Sequence, residues 1–404
     1  MNVEGKFYYR GEIIEGAIKI EDGKIKEIKK SLPDSKKIKG IILPGAIDIH
    51  VHFREPGFTH KEDFYTGTMS AAMGGVTFIM DMPNTNPPVG DLATFQEKLR
   101  LVAQKANIDF SLYFLLNENA EYLKEHNAAF KLYMGETTKA LPGKVRGIDA
   151  FVSVHAELDE CIRKESKDLR DHDLARSESC EVRAVKTLLG RGKFHIAHVS
   201  SIDTVDMCKI GRFTCEVTPH HLFLHKDMPL GSFGKVNPPL RAKWMSERLW
   251  EELLNGRIDI VASDHAPHTI EEKEEEFAHA PSGIPEVETY VPIFLYLMKL
   301  GKIPLKRMVE VLMKRPAELV GVKKGKIEAG YDADLIAFTL SEVKKIRNRD
   351  IHYKCGWTPY EGFNAIFPHT VLLRGEPIVE NYEFVGERMG KFQRIEAKKM
   401  GAEP

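Results

Sequence analysis

The chain has 404 residues, 43% hydrophobic and 29% charged, with a net charge of -1, an ordinary globular balance with room for one large domain and a smaller one. So little net charge leaves no global field to draw in nucleic acid or anionic lipid, and no run of about 18 apolar residues offers a membrane span. The N-terminal MNVEGKFYYRGEIIEG lacks the basic start and apolar run of a secretion signal, and Cys161, Cys180, Cys208, Cys215 and Cys355 show no metal-type spacing, so a reducing cytoplasm without a disulfide framework is expected.

The first forty residues alternate apolar and polar positions, with Asp22-Gly23 between Ala17–Ile20 and Lys24–Ile28. Asp-Gly supplies the positive φ angles of a tight turn, so a hairpin is predicted there. Short β-branched apolar runs follow at Ile41–Ile49, Val76–Met82, Phe110–Leu116, Phe130–Met134, Phe151–His155, Phe194–His198, Phe213–Val217 and Ile258–Ala262. Continuous rather than alternating hydrophobicity fits strands buried on both faces of a parallel sheet. Eight such runs are what a closed (β/α)8 barrel needs, and helix-favouring segments such as Leu92–Ala106, Lys243–Leu254 and Val287–Leu300 separate them. The interval between the fourth and fifth runs is short for a helix. The acidic run Glu271–Glu276 reads as solvated surface. The last seventy residues return to short runs, Ala333–Phe338 and Thr370–Gly375. The expected fold class is therefore α/β: a TIM barrel over residues 44–330 with a small β-sandwich-like domain built from both termini, 1–43 and 331–404.

The chemistry lies where the apolar runs end. The first closes on Asp48-Ile49-His50-Val51-His52, and residues i and i+2 of a strand share a face, so His50 and His52 can grip one ion. The fifth and sixth runs end at His155 and His198, and the eighth leads into Ser263-Asp264-His265-Ala266-Pro267-His268. Imidazoles and a carboxylate at the C-terminal ends of several barrel strands converge on one mouth, the place where such barrels carry their active sites. Lys131, in Phe130-Lys131-Leu132-Tyr133-Met134, is a cation within a buried run. Unpaired it would be costly, but a neutral lysine amine that adds carbon dioxide becomes an anionic carbamate able to bridge two metals about 3.5–4 Å apart.

These segments, with Phe53-Arg54-Glu55-Pro56-Gly57, Asp81-Met82-Pro83-Asn84-Thr85, Cys215-Glu216-Val217-Thr218-Pro219-His220-His221 and Gly330-Tyr331-Asp332-Ala333-Asp334-Leu335, make the chain resemble the amidohydrolase superfamily and, within it, the dihydroorotases. The Lys131 form is similar to the dihydroorotase domain of the animal multifunctional pyrimidine-synthesis protein. The resemblance implies that His50, His52 and Asp264 hold one Zn2+, that His155 and His198 hold another, and that carboxylated Lys131 bridges both, with Mn2+ or Co2+ as possible substitutes. It further implies a metal-bridged hydroxide as nucleophile and Asp264 as general acid/base. The reaction implied is the reversible cyclisation of N-carbamoyl-L-aspartate to dihydroorotate in pyrimidine synthesis.

Arg54, two residues beyond His52, would project from the same face and pair with the ring carboxylate. By family match Asn84 and His268 join it, and Asn237, in Asn237-Pro238-Pro239-Leu240-Arg241, contacts the ring mainly through its backbone. In allantoinase-like relatives the Arg54 position is typically asparagine. A cysteine that accompanies an additional metal in the animal type is Ala197 here, so two metals are expected. The segment Thr269–Ser282 is either a lid or a passive acidic loop. Two other readings remain: a hydantoinase, dihydropyrimidinase or allantoinase on the same scaffold, and a noncatalytic scaffold, which should have lost one of the six ligands. The resemblance leaves open a homo-oligomer or association with aspartate transcarbamoylase.

Overall fold

The structure is a computed structural model that describes residues 1–135, 148–163 and 165–396. Its centre is a ring of parallel strands. Ala46–Val51, Val76–Asp81 and Asp109–Leu112 form one hydrogen-bonded sheet. Phe114–Leu115, Ala129–Tyr133, Phe151–His155, His195–Ile196, Thr214–Val217 and Ile260–Val261 form the other, in sequence order. The two join at Tyr113, because Asp109–Leu112 pairs backwards with Val76–Asp81 while Phe114–Leu115 pairs forwards with Ala129–Tyr133. The ring closes where Val51 bridges His265 and the His52 amide donates to the His265 carbonyl at 2.8 Å. The barrel expected from the eight apolar runs is thus present. Helices Phe64–Gly74, Leu92–Ala103, Ile202–Gly211, Lys243–Leu254 and Tyr290–Lys299 stand between or after strands. The first is capped by the Asp63 carboxylate, which accepts from the Tyr65 and Thr66 amides, and ends at Gly75 with φ 93°. Most of the short interval between the fourth and fifth strands lies outside the described residues.

The run Ile41–Ile49 is not a single strand. Ser35–Pro44 belongs to a second sheet, and the barrel strand begins only at Ala46. Gly45 makes the transition because a Cβ there would lie 2.2 Å from Thr77 Oγ1, so only glycine lets the two backbones approach. The second sheet has eight strands in the order Glu383–Phe384, Glu376–Glu380, Thr370–Leu373, Leu335–Phe338, Ser35–Pro44, Asn2–Tyr9, Glu12–Glu21 and Lys24–Lys29. Both ends of the chain meet where Leu335–Phe338 runs antiparallel to Ile41–Pro44. Its hairpin turns at Asp22 and Gly23, at φ 51° and 77°, and Val3, Phe7, Ile18, Ile42, Leu335 and Leu372 fill its core.

A buried ion network ties this sheet to the barrel. Lys324, 1% exposed, donates to Asp109 at 2.7 Å, Asp334 at 2.6 Å and Asp332 at 2.9 Å, and Arg374 also reaches Asp109. Removing this cation would leave Asp334 without a cation and crowd it against Asp109 and Asp332, which keep only Arg374 and the exposed Lys24. Lys324→Met should cost about 3–5 kcal/mol, read as a lowered denaturation midpoint in urea. An unchanged midpoint would show that the network adds nothing to stability.

Cys161 and Cys180 are paired as a disulfide, 19 residues apart in sequence, whereas no disulfide was expected from the cysteine spacing. The pairing depends on helix Glu178–Thr187 bringing Cys180 to within 5.6 Å of Cys161, Cα to Cα, which no motif announces. Cys208, Cys215 and Cys355 are free and buried. Among the described residues no helix is long and apolar enough to cross a membrane.

Candidate active site

Each barrel strand delivers its polar residue at its C-terminal end. His50 is on the first strand with His52 one residue past it, Lys131 is on the fourth, His155 ends the fifth, and Glu216 is on the seventh. His198 and Asp264 follow the sixth and eighth strands by a few residues. All these side chains except Glu216 line one pocket, together with Arg54, Asn84, Tyr133, His220, Asn237, Ser282 and Gly283. Arg54, His198 and Asp264 have φ of 61°, 40° and 50°. Left-handed backbone costs non-glycine residues on the order of 1–3 kcal/mol each, and here it turns three polar side chains inward at strand ends.

The ring nitrogens are already sorted. His50 Nε2 and His52 Nε2 face Asp264 Oδ1 at 3.2 and 3.1 Å, and the three ligand atoms lie within 4.8 Å of one another. The other nitrogen of each ring is pinned outside: His50 Nδ1 by Glu216 and His52 Nδ1 by Asn84 Oδ1 at 2.7 Å. On the far side, His155 Nε2 bonds Glu157 Oε2 at 2.9 Å, leaving its Nδ1 directed at His198 Nε2, also at 2.9 Å. Acceptors behind imidazoles fix the tautomer that presents a lone pair inward, the arrangement found around metal-binding histidines. Glu157 is itself held by Arg176 at 2.7 and 3.0 Å.

Protonation follows from the surroundings. Burial would raise the Asp264 carboxyl, but His50 and His52 against it hold it well below the usual range. Burial likewise opposes the ionisation of Glu157 and Glu216, yet His155 with Arg176, and His50 with His195, hold both carboxyls down. Burial pushes His52 down to about 4 and His198 well below its ordinary value. Ionised carboxylates and neutral imidazoles are the states metal ligation needs. Lys131 is fully buried, its nearest polar partner Ser153 Oγ at 3.3 Å, and burial lowers its amine to about 8.

Arg54 extends from the rim. Its Nε donates to the Pro267 carbonyl at 3.0 Å, and its Nη2 lies 3.0 Å from His268 Nε2. Asn84 and Asn237 both line the pocket; Asn84 Oδ1 is 2.7 Å from His52 Nδ1, and Asn237 Oδ1 is 3.0 Å from His172 Nε2. Thr269–Ser282 is strapped down. Its short helix Ile270–Glu274 has a capping box, and the buried Lys273 ammonium donates to the carbonyls of Lys235, Pro281 and Gly283 at 3.3, 2.9 and 3.2 Å. Only the outer glutamates of the acidic run, such as Glu271 and Glu274–Glu276, are exposed.

Sequence reasoning missed Glu157, Arg176 and Glu286 as site residues. Glu157 carried a readable signal, since it follows His155 at the same i+2 spacing that joins His50 to His52. Glu286, which accepts from His220 Nδ1, comes from the loop after the eighth strand and carried none.

Comparison with known proteins gives three findings. The Amidohydrolase family model matches residues 41–179. A curated dihydroorotase of Thermoplasma acidophilum is 42% identical, covering 96% of each chain, and one of Thermoplasma volcanium is 41% identical with the same coverage. Among solved structures, the L-hydantoinase (dihydropyrimidinase) of Arthrobacter aurescens superposes with a TM-score of 0.91 at 27% identity, covering 97% of this chain and 98% of its own.

Proposed function

We propose, from the premise that this chain belongs to the dihydroorotases of the amidohydrolase family, that it interconverts N-carbamoyl-L-aspartate and dihydroorotate in pyrimidine synthesis by opening or closing one cyclic amide bond. One observation carries the substrate assignment. A half-buried guanidinium, Arg54, stands with His268 at the rim of the pocket that holds the histidines, Lys131 and Asp264. A ring bearing a carboxylate needs such a cation, and a charge-assisted hydrogen bond to it contributes about 1.5–3 kcal/mol. Neutral hydantoins and dihydropyrimidines have no use for it.

The residues fit a binuclear centre. His198 Nδ1 is a buried nitrogen with no partner among the described residues, and four imidazoles and one carboxylate plus Lys131 converge on one pocket. His50, His52 and Asp264 would hold one ion, His155 and His198 a second, and carboxylated Lys131 both, with zinc suited to these nitrogen and oxygen donors and manganese or cobalt acceptable. When bound, the ions supply an activated water and a Lewis acid for the scissile carbonyl. The rest falls to the chain. Asp264, ionised at rest, takes the proton of the attacking water in the ring-opening direction and returns it to the departing ring nitrogen. Glu216, Asn84 and Glu157 keep the imidazoles in register, and Arg54 fixes the ring so that the amide carbonyl meets Asp264. We also assign 44–330 to the catalytic barrel, and 1–43 with 331–404 to the small β domain.

The test is turnover of L-dihydroorotate against dihydrouracil, hydantoin and allantoin. We expect dihydroorotate to be preferred by roughly 10- to 150-fold in kcat/KM, the product of an ionic contact made only to that ring. Preference for a neutral ring would instead move the chain to the hydantoinase side of the scaffold. Ring closure consumes one carboxylate and one proton, so the equilibrium ratio of ring to open chain should fall about tenfold per pH unit above the carboxylate range. A pH-independent ratio would contradict the assigned reaction.

A further inference from the structure

His268 stands among two cations and a carboxylate. Its Nδ1 is 3.1 Å from the Lys61 ammonium and 3.5 Å from Glu272 Oε2. Its Nε2 is 3.0 Å from Arg54 Nη2 and 3.1 Å from the Ser282 carbonyl oxygen. Lys61 also pairs with Glu272 Oε1 at 2.7 Å, while the Thr269 amide donates to Glu272 Oε2 at 3.1 Å as part of the helix cap. Burial, with Arg54, Lys61 and Lys273 nearby, pushes His268 far below the ordinary imidazole range, so the ring is neutral and carries one proton.

An ammonium only donates, so the nitrogen facing it is the bare one. The ring proton is then on Nε2, where it donates to the Ser282 carbonyl. Arg54 Nη2 beside it is also a donor, and two donors cannot hydrogen-bond to each other. The rim therefore presents the Arg54 Nη2 donor, 3.0 Å from His268 Nε2 but not bonded to it, to an incoming carboxylate. The other tautomer would undo this: a bare Nε2 would accept from Arg54 Nη2, and the two members of the clamp would satisfy each other.

We propose that Lys61 is a positioning residue that selects the His268 tautomer: by donating to Nδ1 and holding Glu272 away, it keeps the ring proton on Nε2 and leaves Arg54 free to bind a substrate carboxylate. This rests on the carboxylate-binding reading of Arg54 given above. The Ser282 carbonyl favours the same tautomer from the Nε2 side, and Lys61 tips the balance at Nδ1, because Glu272 Oε2 at 3.5 Å is the acceptor that would take an Nδ1 proton once the ammonium were gone.

The experiment uses the metal-loaded full chain labelled with 15N-histidine, the His268 resonances being assigned by their loss in His268→Gln. Wild type should show protonated Nε2 and bare Nδ1. In Lys61→Met the pattern should reverse, KM for dihydroorotate should rise about tenfold or more, and both KM for dihydrouracil and kcat should stay close to wild type. Lys61→Arg, which keeps a cationic donor, should retain the wild-type pattern, and Lys61→Met with Glu272→Gln should lose the reversal. A wild-type ring protonated on Nδ1, or a Lys61→Met ring still protonated on Nε2, would overturn the inference. Failure of the underlying reading looks different: Arg54→Ala would leave KM for dihydroorotate unchanged while the tautomer still answered to Lys61. Circular dichroism and metal content equal to wild type would separate these results from misfolding.

Discussion

Lys131→Ala should bind fewer than two metal ions per chain and lose at least about a hundredfold in kcat, with metal content read by elemental analysis of the purified protein. The expectation starts from burial. Lys131 is fully enclosed and, among the described residues, hydrogen-bonds only the Ser153 hydroxyl at 3.3 Å and touches no carboxylate, so its charged form is poorly supported and burial lowers its amine to about 8. A neutral amine is the form that adds carbon dioxide, and the anion so formed suits a pocket lined by imidazoles. Without it, His155 and His198 are two nitrogen donors alone, short of the coordination zinc takes up. Bicarbonate or a short carboxylic acid added to Lys131→Ala should restore part of the activity by filling the vacated volume with an anion. Two ions retained at full activity would remove Lys131 from the centre.

Arg54→Ala should reverse the order of substrates rather than abolish catalysis. The guanidinium is half-buried, and its hydrogen-bonding contacts are the Pro267 carbonyl and His268, so among the described residues no carboxylate neutralises it by direct pairing. A desolvated cation in that state discriminates strongly for an anionic ring, and truncating a charged hydrogen-bonding partner costs about 2–5 kcal/mol, or roughly 30- to 4000-fold in kcat/KM for dihydroorotate. Dihydrouracil, which makes no such contact, should be turned over as well as before or better. Equal losses on both rings would mean that Arg54 supports the pocket wall and does not read the substrate.

The ligand set was legible because barrel strands end in a row. His50, His52, His155, His198 and Asp264 each close or closely follow an apolar run, and a run's end is visible without knowing its neighbours. Lys131 was legible for the opposite reason, as a cation where hydrophobicity should be unbroken. The residues behind the ligands were harder. Glu157 and Arg176 act on the site through a contact between a strand end and the first residue after helix Leu169–Ala175, and Asn84 reaches His52 across neighbouring strands. Such contacts depend on register, which hydrophobic period alone does not fix. Ile41–Ile49 reads as one run although it spans two strands, and Pro44-Gly45 in its middle was the available signal for the break between them.

The position of the ring's closure has a consequence of its own. First and last strands meet at a single bridge, Val51 to His265, and the candidate ligands His50 and His52 lie on one side of that seam with Asp264 on the other. An ion gripped by all three is therefore a rivet through the seam, joining parts of the chain more than two hundred residues apart and closing a long loop that the backbone secures only lightly. The same atoms that would activate water would also keep the cylinder from springing open, so stripping the metal should loosen the barrel first at this seam. Hydrogen exchange at the amides of His52 and Ala266 should rise on chelation before exchange elsewhere in the barrel does.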